Sequence, residues 1–214
     1  EKPSEVEAQL PEARRLDGGV QKNLHAVLDD TIGMEGQMLV FVSSRSSAQK
    51  EARELSRHLR SKPASGGEVI SEELAGRWGK IADSLTKGDG GSATVKALAD
   101  AVRGGVGFHH AGLTSSQRKA VETGFRSGDL LCVVATPTLA QGVNLPASRV
   151  VIRDHRRWNT TAARSMPLPV MEVRQMLGRA GRPGFDEFGE SFLVSKSNQE
   201  EQDLVDLYLR GTPE

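Results

Sequence analysis

The chain has 214 residues, with 28 lysines and arginines balancing 28 aspartates and glutamates, 37% hydrophobic residues and 4% aromatics. These proportions suit one or two globular domains with a buried core and exclude a disordered tail. No apolar run approaches the roughly 20 residues of a membrane span. With no charged-then-apolar stretch read at the start, no signal peptide is expected, and the single cysteine, Cys132, excludes a disulfide framework and points to a reducing, intracellular setting. The first residue is Glu1, so an excised fragment is expected.

Residues 1–19 are acidic, carry Pro3 and Pro11, end in Gly18-Gly19 and read as a linker or edge segment. From residue 20 onward one domain is expected. Val20, Leu24, Val27, Leu28 and Ile32 space an amphipathic helix, and Met38–Val42 is a short apolar strand. Ser46 is placed to cap a helix running to Lys62, with Ala48, Ala52, Leu55 and Leu59 on one face. Gly/Ser-rich loops over 63–67 and 88–92 bracket a helix over 71–86, and a further helix over 93–103 leads into the strand Val106–Phe108. Thr114 or Ser115 caps a helix to Ser127. After it come the strand Leu130–Ala135, a helical turn over 138–142, a strand over 149–152, a helix over 170–180, a strand over 191–194 and a helix over 199–210. Continuous apolar strands alternating with helices predict an α/β fold, a parallel sheet covered on both faces. Cys132, inside an apolar strand, reads as core.

The balanced charge hides an asymmetry. Between Arg149 and Arg182 there are eight arginines and no lysine against Asp154 and Glu172, whereas Asp186–Asp206 carries seven acids against Lys196. Such runs occur on any solvated face, but arginine without lysine favours fork-like binding of phosphate. In an open parallel sheet, function sits at the carboxyl ends of strands. The strand ends here are Ser43-Ser44-Arg45, His109-His110-Ala111-Gly112, Thr136-Pro137-Thr138 and Arg153-Asp154-His155. Before the last strand comes Gln175-Met176-Leu177-Gly178-Arg179-Ala180-Gly181-Arg182-Pro183-Gly184. Arg179 and Arg182, three apart, point the same way on a helix end. Two readings are open: a polyphosphate site, or a glycine C-cap with arginines favoured at the helix C-terminus.

The segment Ala135-Thr136-Pro137-Thr138-Leu139-Ala140-Gln141-Gly142-Val143-Asn144-Leu145-Pro146-Ala147, with the arginine pair about forty residues later, closely resembles motifs V and VI of superfamily 2 helicases. Phe108-His109-His110-Ala111-Gly112-Leu113 and Gly178–Gly184 narrow the resemblance to the Ski-type DExH branch. Within it, Val170–Gly184 looks most like the archaeal Hjm and eukaryotic HELQ repair helicases. The resemblance covers about Val20 to Pro213 and implies the second RecA-like lobe of the motor.

By that resemblance, Arg182 is the arginine finger with Arg179 beside it. Gln175, Gly142 and Asn144 face ATP, and Ser43, Arg45, His110, Thr136 and Thr138 touch the nucleic acid. Thr136 read alone is equally a turn cap, and His109 or His110 a core hydrogen bonder. His155–Pro169, with Arg156, Arg157, Trp158 and Arg164, occupies the place of a strand-separating β-hairpin, expected over 153–169. Trp158 either stacks on the last base pair or tucks against the lobe. No metal-binding residue is assigned.

Two motor parts are missing from the sequence. No G-x-x-x-x-G-K-[ST] phosphate loop is present, since Gly76-Arg77-Trp78-Gly79-Lys80-Ile81 is too short. No D-E-x-H is present either, and Asp186-Glu187-Phe188-Gly189 fails that pattern. The fold expected is therefore RecA-like without its phosphate loop. ATP and Mg²⁺ are expected to be held mainly by an N-terminal RecA-like lobe, and the chain alone is expected to be inactive. Winged-helix and ratchet domains are the expected downstream partners, single-stranded or forked DNA the expected ligand, and no membrane contact is expected. The expected compartment is cytoplasm in an archaeon and nucleus in a eukaryote. The alternatives are an RNA-remodelling lobe of the same branch and a non-catalytic scaffold.

Overall fold

A computed structural model describes residues 23–61, 70–87 and 91–211. The linker over 1–19, the start of the first helix and the loop over 63–67 lie outside the described residues, as does most of the loop over 88–92. In chain order the elements are α1 (Asn23–Gly33), β1 (Met38–Phe41), α2 (Arg45–Arg60), α3 (Glu72–Thr86), α4 (Ala93–Val102), β2 (Val106–His109), α5 (Ser115–Arg126) and β3 (Cys132–Ala135). They continue with α6 (Thr138–Gly142), β4 (Arg149–Ile152), β5 (Arg156–Asn159), β6 (Arg164–Pro167), α7 (Val170–Leu177), β7 (Glu190–Leu193) and α8 (Asn198–Leu204), the last extended by a π-helical turn over Val205–Arg210.

Five strands form one parallel sheet in the order β2-β3-β1-β4-β7. Every residue of β1 to β4 is buried, as a sheet covered on both faces requires. The fold is the RecA-like α/β arrangement. Right-handed crossovers put α2 and α4, which connect β1 leftward to β2, on one face. The rightward connections through α5, α6 and α7 cover the other. Cys132 is fully buried in β3, and burial pushes its thiol up, so it is core and not a nucleophile.

Register sets the functional rows. Met38, Cys132 and Arg149 align at the amino end, and His109, Ala135, Phe41, Ile152 and Leu193 align at the carboxyl end. The residues just beyond that last row are His110, Thr136, Val42, Arg153 and Val194. The ladder continues into them through Thr136 N–H to His109 O (3.1 Å), Val42 N–H to Ala135 O (2.9 Å) and Arg153 N–H to Phe41 O (3.0 Å).

The helix ends correct two sequence expectations and decide between the two caps offered for α5. Ser44, not Ser46, caps α2: Ser44 is extended (φ −141°) and its Oγ accepts from the Ser47 N–H, while Ser46 already lies in the first turn. Thr114 caps α5 in a reciprocal capping box with Gln117. The helix over 170–180 stops at Leu177, because Gly178 caps it and Ala180 instead bridges Ala147 in strand fashion.

Gly105 is a tight point ahead of β2. Its φ is +76°, and a Cβ there would lie 2.5 Å from Cζ2 of Trp78. Trp78 cannot withdraw, since it is buried and its Nε1–H donates to Asp129 O at 2.6 Å. Left-handed strain and overpacking together predict that Gly105→Ala costs about 2–4 kcal/mol. Denaturant unfolding checks this, and an unchanged midpoint would contradict it.

Candidate functional site

The sequence-predicted residues divide between the two ends of the sheet. At the carboxyl end, Ser43, Arg45, His110, Thr136 and Thr138 follow β1, β2 and β3. His110, Thr136, Ser43 and Asp154 cross three strand spacings, roughly 14 Å. Ser43 is held by Asp154, whose Oδ2 accepts from its backbone N–H (2.9 Å) and Oγ (3.1 Å). Burial alone would raise the Asp154 pKa, but the pair with Arg153 and the two bonds from Ser43 bring it below the ordinary range. Arg153 in turn reaches Glu51 on α2 at 2.5 Å.

Both histidines are buried and hydrogen-bonded. His109 Nε2 meets Glu122 Oε1 at 2.9 Å. His110 stacks on Phe108 at 5.4 Å, its Nδ1 accepts from the Gly112 N–H at 3.1 Å, and its Nε2 lies 3.2 Å from the Gln49 amide. An accepting Nδ1 places the ring proton on Nε2, so Gln49 must present its oxygen to the ring. The His110 ring is thus a strut. The surface it supports is the exposed turn Ala111-Gly112, with the Arg45 guanidinium beside it. The Thr136 hydroxyl caps nothing in α6 and instead lies 3.0 Å from the exposed Thr138 hydroxyl.

Arg179 and Arg182 are at the opposite end, because α7 runs back from the carboxyl end of the sheet toward the amino end. This departs from the expectation that the whole site gathers at carboxyl ends. The arginines also do not share a helix face, since α7 ends before either of them. Arg179 Nη1 donates to Asn144 Oδ1 at 2.9 Å. Arg182 is gripped by Asp186: Nη2 to Oδ1 at 2.7 Å, Nε to Oδ2 at 3.0 Å and backbone N–H to Oδ2 at 2.8 Å. That hydrogen-bonded pairing with Arg182 holds the Asp186 carboxyl below its ordinary value. Phe185, 84% exposed, lies 5.6 Å from the guanidinium.

Motif V joins the two ends. It leaves β3 at Thr136, descends through α6 and reaches Ala147, whose N–H donates to Arg179 O (3.0 Å) and whose O accepts from the Gly181 N–H (2.7 Å). Gly181 (φ +95°) passes directly under Gly189, where an added Cβ would lie 2.1 Å from Gly181 N. Gly142 and Gln175 are exposed, and a Cβ at Gly142 would meet nothing within 4 Å among the described residues. Packing inside the lobe therefore does not require glycine there. Among the described residues no three His, Cys, Asp or Glu side chains gather to hold a metal ion. No helix among them is long and apolar enough to cross a membrane.

β5 and β6 pair antiparallel as a hairpin standing off the sheet. Trp158 is 66% exposed at its surface, which answers the question of its tucking against the lobe. Arg156 Nη2 donates to Ser165 O across the hairpin at 2.8 Å. Arg157 turns to the other face and pairs at 2.9 Å with Glu172, an 8%-exposed carboxylate in the first turn of α7. The base is pinned by Tyr208, whose hydroxyl lies 3.1 Å from His155 O and 3.0 Å from Leu168 O.

Sequence reasoning gave no positioning role to Asp186, Gln49, Glu172 or Gly189, and took Asp154 only as part of a polar strand end. Asp186 has a signal in the sequence, its place four residues after Arg182.

Residues 92–184 match the family described as helicase conserved C-terminal domain. The chain is 40% identical over 207 residues to the "ATP-dependent DNA helicase Hel308" of Methanocella arvoryzae, covering 95% of this chain and 26% of that protein. It is 43% identical over 190 residues to the Hel308 helicase of Pyrobaculum calidifontis (88% and 25%) and 39% identical over 185 to that of Pyrococcus horikoshii (86% and 24%). The chain is a superfamily 2 helicase C-terminal lobe. This helicase lobe spans about a quarter of the length of the curated relatives it matches.

Burial holds His109, His110 and His155 below the ordinary histidine value of 6.5. The unfolded lobe therefore takes up protons that the folded one refuses. Stability is full above 6.5 and falls as pH drops below it. Urea midpoints at about pH 7.5 and about pH 5 check this, and a midpoint that holds or rises on acidification would contradict it.

Proposed function

We propose that this lobe is the second motor lobe of an ATP-dependent 3′→5′ DNA helicase that unwinds forked or tailed DNA in repair or replication restart. The observation that carries the reading is motif V: one segment bears Thr136 and Thr138 at the carboxyl end and Asn144, paired with Arg179, at the amino end. The Hel308 relatives, named as ATP-dependent DNA helicases, support DNA as the nucleic acid.

ATP with Mg²⁺ supplies the phosphoryl transfer that drives such a motor. This chain's part is to bring cationic donors to the developing charge, with Arg182 as the finger, Arg179 beside it, and Gln175, Gly142 and Asn144 lining the nucleotide side. At the other end Ser43, Arg45, Thr138 and the Ala111-Gly112 turn held by His110 grip the sugar–phosphate track. The cleft closes against an N-terminal RecA-like lobe, with winged-helix and ratchet domains following. The exposed Trp158, flanked by Arg156, stacks on the last base pair of the duplex, and base–aromatic stacking contributes roughly 1–3 kcal/mol. Arg157 serves the same hairpin from its inner face, by tying it to α7.

The deciding experiment follows ATP turnover of the whole protein with single-stranded DNA or RNA of matched length. DNA stimulation, lost by about 10³-fold in Arg182→Ala, is expected. Stimulation by RNA alone would move the protein to the RNA-remodelling branch, and no turnover with either would make the lobe a scaffold. A second variant, Trp158→Ala with 160–163 shortened, is expected to lose unwinding while keeping DNA-stimulated hydrolysis. Equal loss of both would contradict the strand-separating role.

A further inference from the structure

We propose that Asp186 is the positioning residue for Arg182, setting the direction in which the arginine meets phosphate. The inference rests on the reading of Arg182 as the phosphate-reaching arginine.

A guanidinium has two donor edges beyond its stem. Asp186 takes one of them: Nε and Nη2 lie on its two oxygens at 3.0 and 2.7 Å. The other edge has only long contacts, Nη1 to Gln37 Oε1 and Nη2 to Glu35 O, both at 3.4 Å. Gln37 cannot close that gap, because its Nε2 donates to Phe125 O and Leu130 O at 2.7 Å each and so fixes the amide. One edge is locked by a charge-assisted pair, and the Nη1 edge is held so loosely that a phosphate oxygen, a far stronger acceptor, displaces the contact.

The carboxylate is itself anchored. Oδ2 accepts the Arg182 backbone N–H at 2.8 Å, and Oδ1 accepts from Ser148 Oγ at 3.3 Å, at the amino end of β4. Side-chain exposures of 19% for Arg182 and 12% for Asp186 keep the pair largely out of water. Asp186 therefore ties the loop, the arginine rotamer and the sheet into one rigid unit, so the arginine need not be ordered when the cleft closes. The alternative, a latch that withholds Arg182 from phosphate, would require the pair to break in every cycle.

The test measures ATP turnover of the whole protein at saturating single-stranded DNA. Asp186→Asn keeps the shape and one acceptor but loses the charge. It is expected to lower kcat by about 10- to 100-fold, with the KM for ATP and the affinity for DNA within about twofold of the parent. Asp186→Glu is expected to recover part of that loss, a rescue that a merely structural role does not give. If Asp186→Asn fails to fold, Asp186→Glu decides alone, with kcat lowered about fivefold at unchanged KM expected and parental kcat overturning the proposal. Parental kcat in Asp186→Asn beside an inactive Arg182→Ala would overturn the positioning role and leave the arginine finger standing. Raised turnover without DNA would replace positioning by a latch. Full activity in Arg182→Ala would overturn the arginine reading and the proposal together.

Discussion

Two backbone hydrogen bonds, from Ala147 N–H to Arg179 O and from Gly181 N–H to Ala147 O, hold the functional parts of the lobe in one frame. The four-residue strands of this parallel sheet place their starts and finishes roughly 10 Å apart. Residues at one end are therefore tied to residues at the other only through the segments that run between them. Motif V makes that connection along its own length, and α7 runs beside it in the same direction. Where both arrive, the Ala147 bridge pairs them as strands pair. The packing of Gly189 against Gly181 allows no side chain between them.

The hairpin is attached to the same frame. α7 begins next to the hairpin base and ends just before the turn bearing Arg179 and Arg182, so one helix of eight residues lies between the hairpin and the arginine turn. The Arg157–Glu172 pair makes this attachment specific. Glu172 is nearly buried, and a carboxylate so placed needs its cation, since removing one partner of a buried pair leaves a desolvated charge. The arginine-only run between residues 149 and 182 thus has several roles. Arg149 is buried between Asp30 and Glu190, Arg153 binds Asp154 and Glu51, Arg157 binds Glu172, and Arg182 binds Asp186. Much of that run is structural, its guanidinium groups being paired with carboxylates.

The sheet was legible in the sequence because its central strands β1 and β3 are short uninterrupted apolar runs, and β4 lies on the residues read for it. Motifs V and VI were legible as patterns. What the pattern could not give was direction. The spacing of Arg179 and Arg182 implied a shared helix face only if the helix continued, and Gly178 ended it. Read alone, either histidine is a core hydrogen bonder, and both are buried: His109 ends β2 and bonds Glu122, while the ring of His110, just beyond it, supports the Ala111-Gly112 turn. The pairings of Asp154, Gln49 and Glu172 were invisible because each acts on a partner distant in sequence, from 15 residues between Arg157 and Glu172 to 111 between Ser43 and Asp154. Ser46 was preferred over Ser44 as a cap because both have the right side chain, and only backbone geometry separates them.

The measurement that tests this account most directly is hydrogen exchange in the whole protein, free and bound to single-stranded DNA without nucleotide. The account predicts that the Gly181 and Ala147 amides exchange as slowly as those of β3 and β4, and that DNA held at the carboxyl end slows them further. Loop-like exchange at Gly181, or a DNA effect confined to residues near Ser43, His110 and Thr138, would contradict the claim that motif V joins the two ends through that bridge.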